Sequence, residues 1–108
     1  MAVVDDLILS RARAALEVVA RRARVRAAFL FGSHVEGRAD EFSDIDIAAF
    51  VEGAERWDLE RRVRAAIEAQ REIGYDIELH VFAADLLEDP PKASFAAYVQ
   101  SHGILIEI

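Results

Sequence analysis

Two aspartates one residue apart, Asp44 and Asp46, interrupt the apolar run DIDIAAFV and have the clearest capacity for chemistry in this sequence. On an extended strand, residues two apart point to the same side, with Cα atoms about 6.6 Å apart. Carboxylates so placed converge on one or two divalent cations. Without a cation they repel, and burying either one is costly. Mg²⁺ takes oxygen ligands in octahedral geometry and keeps waters and substrate phosphates, so an Asp-x-Asp pair suits it better than it suits Zn²⁺.

Gly32 and Ser33 close the preceding apolar run, AAFLF. Delivered to the same mouth as the aspartates, a glycine lets a phosphate approach the backbone closely. Serine adds a hydroxyl, and successive N–H groups can cradle oxygens. A short helix beginning near His34 would add the field of its N-terminus. A third carboxylate is expected on the next strand, where Asp76 and Glu78 both qualify by face. Glu78 lies deeper in the apolar alternation and is favoured; Asp76, which could instead mark the strand's start, stays the alternative. Arg38 is either a contact for triphosphate or a partner's acidic surface, or a solvated loop charge. His34 reads as a solvent-facing loop residue rather than a phosphate ligand. His80, on the carboxylate face of the third strand, either lines the pocket or packs behind it.

The elements that must position these residues follow from periodicity. Asp5 to about Arg22 reads as a helix, with Leu7, Ile8, Ala12, Ala15, Leu16, Val19 and Ala23 recurring at three and four residues. Val25 to Phe31 reads as a strand buried on both faces. Ile45 to Val51 is a second strand, with Asp44, Asp46, Ala48 and Phe50 on one side. Trp57 to about Arg71 reads as a helix whose stripe is Leu59, Val63, Ala66, Ile67 and Gln70, ended near Gly74. Tyr75 to Phe82 is the third strand, with Ile77, Leu79 and Val81 on one face. A short turn closed by Pro90 and Pro91 follows, then a helix over Ser94 to about Ser101 carrying Phe95, Tyr98 and Val99. The tail ILIEI is a short strand or an apolar end, which either completes the core or meets a homodimer mate or partner protein.

The 108 residues are one domain's worth, read as a single domain over 1–108. The net charge of -7 argues against a non-specific nucleic-acid binder. Nucleic acid as an acceptor stays open, because arginines cluster locally, in Arg11–Arg26 and again in Arg56–Arg71. The absence of cysteine removes disulfides and thiolate catalysis. No leader pattern and no run of membrane-spanning length is present, so the expectation is a cytoplasmic protein without a membrane partner.

Gly32-Ser33, ten residues, then Asp44-Ile45-Asp46 resembles the signature of the DNA polymerase β-like nucleotidyltransferase superfamily. GSHVEGRADEFSDIDIAAF is similar almost throughout, including Gly37, Arg38 and Ser43, and the small size looks like the minimal branch of that superfamily. The segment from Glu78 to FAAYVQSHGILI is also similar, so the resemblance runs from Phe29 to Ile106. It implies a small mixed β-sheet with helices packed mainly on one face. It implies that Gly32 and Ser33 hold a nucleoside triphosphate, and that Asp44 and Asp46 ligate Mg²⁺. Glu78 or Asp76 would complete the metal site and help activate an attacking hydroxyl. Two departures are visible: His34 stands where Arg or another polar residue is common, and the favoured third acid is Glu where Asp is usual. The implied reaction is transfer of AMP from ATP to a hydroxyl. The same resemblance makes two partner readings plausible, an antitoxin that adenylylates a HEPN-type toxin or a non-catalytic regulatory module that neutralises its partner. A degenerate domain that holds nucleotide without chemistry is disfavoured by the intact Gly-Ser and Asp-x-Asp.

Overall fold

The computed structural model describes residues 4–108. Helix α1, Asp6–Ala20, is capped by Asp5, whose carboxylate accepts from the Leu7 N–H at 2.7 Å. Strand β1 is Val25–Phe31. A single helical turn, α2, Ser33–Glu36, leads by a loop to β2, Ile45–Val51. A 3-10 turn over Ala54–Arg56 precedes α3, Leu59–Ile73, which Asp58 caps. Strand β3, Ile77–Ala83, is followed by a second 3-10 turn, Ala84–Leu87, then α4, Phe95–His102, and β4, Ile104–Ile106.

The four strands form one sheet in the order β3-β2-β1-β4. β1 runs antiparallel to β2 and β4, and β2 runs parallel to β3. The sheet is therefore mixed, as expected. A parallel pair needs a crossover, and α3 supplies it. The tail is a true strand: Ile106 pairs with Ala28 and is 2% exposed, so it completes the core of the chain itself.

Alternation along the strands sorts two cores. On one face α1 and α3 cover Leu30, Ile45, Ile47, Ile77 and Leu79, with Ala12, Ala15, Leu16 and Val19 pressed down from α1. Each large aliphatic side chain buried there contributes roughly 1.5–3 kcal/mol. On the other face, Phe31, Ala48 and Phe50 pack against Ala96 and Val99 of α4 and against Leu86 and Leu87. The long helices thus share one face, and the second face has only a short cover.

The stripe expected on α3 is a correction. Leu59, Val63 and Ile67 are exposed, at 76%, 47% and 42%. The inward face is Ala65, Ala66, Ala69 and Ile73, whose small side chains let the helix sit close on the sheet. Arg62 and Gln70 also turn inward, because backbone carbonyls there need donors. Arg62 donates to Val81 O at 2.6 Å and to Ala54 O at 2.5 Å, and Gln70 Nε2 donates to Ile77 O at 2.9 Å. Trp57 lies outside the helix and is buried, while Leu7 at the start of α1 is 65% exposed.

Candidate active site

Register builds the site. Asp46 stands beside Phe31 on β1 and directly opposite Glu78 on β3. Neighbouring strands lie about 4.8 Å apart, so two carboxylates meet on the face that α4 covers incompletely. His80 follows on the same side of β3, with its Nε2 3.7 Å from Glu78 Oε1 and its ring against Phe31 and Phe95. One ligand atom from each of Asp46, Glu78 and His80 lies within 4.8 Å of the others. Asp44, just before β2, is exposed, and its charge acts on Asp46.

Electrostatics mark Asp46 as the stressed member. Burial, then the neighbouring Glu78, and then Asp44 and Glu36 push its carboxyl up to about 7. Burial pulls His80 below its usual range, against the raising effect of Glu78.

Gly32 explains why the turn after β1 belongs to the site. Its φ of 79° lies in the region that favours glycine, and a Cβ there would overlap Asp46 Oδ2 and come within 3.1 Å of Asp46 Cγ. Backbone and carboxylate therefore approach as only glycine permits. Ser33 opens α2, in which the Val35 and Glu36 N–H groups return to Gly32 O at 3.0 Å. At four residues α2 is a single helical turn, as short as the sequence suggested, with little N-terminal field of its own.

The remaining candidates are dispersed. Asp76 is held by Arg11 of α1 through two hydrogen bonds of 2.5 Å, which keep its carboxyl below the usual range. It therefore stands outside the Asp46–Glu78–His80 group. Arg38 is exposed and pairs with Glu36. Glu36 also faces the Tyr98 hydroxyl at 3.4 Å, which links α4 to the site. His34 is half-buried rather than solvent-facing, with its Nε2 enclosed and unpaired among the described residues. Sequence reasoning overlooked Glu36, because its charge reaches Asp46 only through the packing of α2 beside β1.

Chemically, the oxygen donors Asp46 and Glu78, with Asp44 at the rim, fit Mg²⁺. Among the described residues no lysine or arginine pairs with Asp46 or Glu78, which fits a cation as well. The imidazole of His80 is a softer donor and sits on Glu78.

Comparison with known proteins agrees with this geometry. Residues 15–106 match the family described as Polymerase beta, Nucleotidyltransferase, and the chain belongs to that family. No curated protein matches it. In structure it is similar to a protein from Sulfolobus solfataricus provisionally described as a nucleotidyltransferase. That similarity has a TM-score of 0.64 at 20% identity, over 92% of this chain and 78% of the other. At this identity the likeness shows the fold. Among the described residues, no helix is long and apolar enough to cross a membrane.

Proposed function

We propose that the chain is a Mg²⁺-dependent adenylyltransferase that moves AMP from ATP to a hydroxyl acceptor. The observation that carries this reading is the meeting of Asp46 and Glu78 in register, under a Gly32 that leaves no room for a side chain. Asp44, Asp46 and Glu78 would hold the metal. When bound, the metal supplies charge neutralisation on the α-phosphate and on departing pyrophosphate. Ser33 and the first amides of α2 orient the triphosphate. Arg38 would leave Glu36 to contact the outer phosphates. Glu78, more exposed than Asp46, would take the proton of an incoming hydroxyl. The protein's part is positioning and electrostatics, with no covalent enzyme intermediate.

Asp76 is better read as the structural partner of Arg11 than as the third ligand, since both its oxygens are already engaged. A single domain over 1–108 fits the continuous sheet.

A second reading is favoured by exposed apolar side chains. Phe42, 84% exposed, precedes Asp44 by two residues, and Tyr75, 82% exposed, adjoins Asp76. They fit a protein partner at the mouth of the site, such as a HEPN-type toxin that is either the acceptor or a target neutralised by binding alone. ATP labelled at the α- or γ-phosphorus, incubated with a cell extract, separates the two. Label entering a macromolecule from the α-position alone supports transfer of AMP. Label from the γ-position, or from neither, would overturn it in favour of phosphotransfer or binding alone.

A further inference from the structure

The two arginine groups that lie apart in sequence meet in space. The end of α1 and the entry to β1 bring Arg22 and Arg24 beside Arg56 and Arg61, which flank the start of α3. Together with Glu52 and Trp57 they line a cavity of about 380 Å³. It adjoins a second cavity of about 600 Å³ that shares Arg22, Trp57 and Arg61, but there Asp58, Glu60 and Glu68 balance the arginines, with Arg64 paired to Glu60, so the surplus of positive charge belongs to the smaller cavity.

The charge balance in the smaller cavity opposes that of the molecule. Four arginines face one glutamate there, in a chain of net charge -7. Arg22 is taken by Glu68 at 3.0 Å. Glu52 lies 3.9 Å from Arg24 and 4.0 Å from Arg26, which also meets Glu88 at 3.5 Å, so Glu52 is only a loose partner to Arg24. Among the described residues, Arg56 and Arg61 form no ion pair. The Arg61 guanidinium is held 4.2 Å over the Trp57 ring, which fixes it without neutralising it. Arg56 folds back over Gly53, its Nη2 3.3 Å from where a Cβ would stand; the φ of 81° and this contact both favour glycine there.

We infer that this cavity is an anion site for a small ligand carrying vicinal phosphates, separate from the carboxylate site. Asp46 is the second residue of β2 and Glu52 follows its last, so the two sites are about 20 Å apart along the strand. One triphosphate cannot span them. Guanidinium forks match paired phosphate oxygens, and two unpaired forks on a concave surface give such a ligand its specific contacts. The cavity's size and the chain's overall negative charge select a small polyphosphate over a nucleic-acid strand. This site would stand whether or not the carboxylate end transfers AMP.

Trp57 is the sole tryptophan and lies within the site, so its fluorescence reports binding. The titration is run with pyrophosphate in EDTA, where the metal-free carboxylates repel phosphate and do not contribute. Sulfate at matched ionic strength, ATP and a short RNA oligonucleotide serve as further ligands. Saturable binding of pyrophosphate is expected, weakened more than about tenfold in Arg56→Gln/Arg61→Gln and retained in Arg71→Gln, which lies outside the cavity. ATP binding more tightly than pyrophosphate identifies a nucleotide as the source of the phosphates; equal binding identifies the phosphates alone. Absence of binding, an equal response to sulfate, or equal loss in Arg71→Gln would overturn the site. Tighter binding of RNA would overturn the small-ligand class. Calorimetry repeats the comparison without depending on the tryptophan signal.

Discussion

At the scale of single residues, Asp46 carries the account because its environment is wrong for an ordinary surface acid. Its carboxyl is raised from 3.8 to about 7 in the folded chain. Between those values the folded state keeps a proton that the unfolded state has lost. This contribution to stability is therefore full below about pH 4 and lost as pH rises through about 7. Metal-free wild type should lose thermal stability relative to Asp46→Asn as pH climbs from 4 to 7, and the difference should level off above that. Parallel curves would mean that Asp46 titrates normally. Gly32→Ala is the second test at this scale. With φ at 79° and ψ at -152°, Gly32 sits in a region essentially confined to glycine, which costs a residue with a Cβ about 1–3 kcal/mol, and the overlap with Asp46 adds to it. Chemical denaturation should show at least that loss.

At the scale of elements, the question is which partner each strand gives its acids. Arg11 reaches from α1 to the start of β3 and engages Asp76, while Glu78 is left to face Asp46. Asp76→Asn should cost about 1 kcal/mol of stability, since the pair is partly exposed, and leave Mg²⁺–ATP binding intact. Glu78→Gln should leave stability unchanged or improved, by relieving repulsion, and lose the binding. The reverse pattern would make Asp76 the ligand. Arg62→Met probes the crossover helix. It removes the donor to Val81 O and Ala54 O and should cost about 1–3 kcal/mol in denaturant unfolding. The strands and their faces were legible in the sequence because alternation in DIDIAAFV and YDIELHVF is a local signal. The burial of α3 was not. Its apolar residues Leu59, Val63 and Ile67 outweigh its alanines in any periodicity, yet close packing on the sheet selects the alanines. Likewise nothing local announces that Arg11 will meet a residue 65 positions away.

At the scale of the whole molecule, the sheet separates two ends of opposite chemistry. Carboxylates crowd one end of β2 and arginines the other. The first end is legible in the amino-acid sequence through the spacing of Gly-Ser and Asp-x-Asp, because the two motifs lie on adjacent strands. The second end shows in the sequence only as two unrelated runs of arginine, since long-range packing of α1 beside α3 joins them. The fold, the family and the crowded acids support the proposed cation-dependent nucleotide site.

Calorimetric titration with ATP, with and without Mg²⁺, for wild type beside Asp46→Asn tests that claim most directly. The account predicts binding that requires Mg²⁺ in the wild type and is absent from the variant. Mg²⁺-dependent binding of equal strength in Asp46→Asn, or none in the wild type, would contradict it.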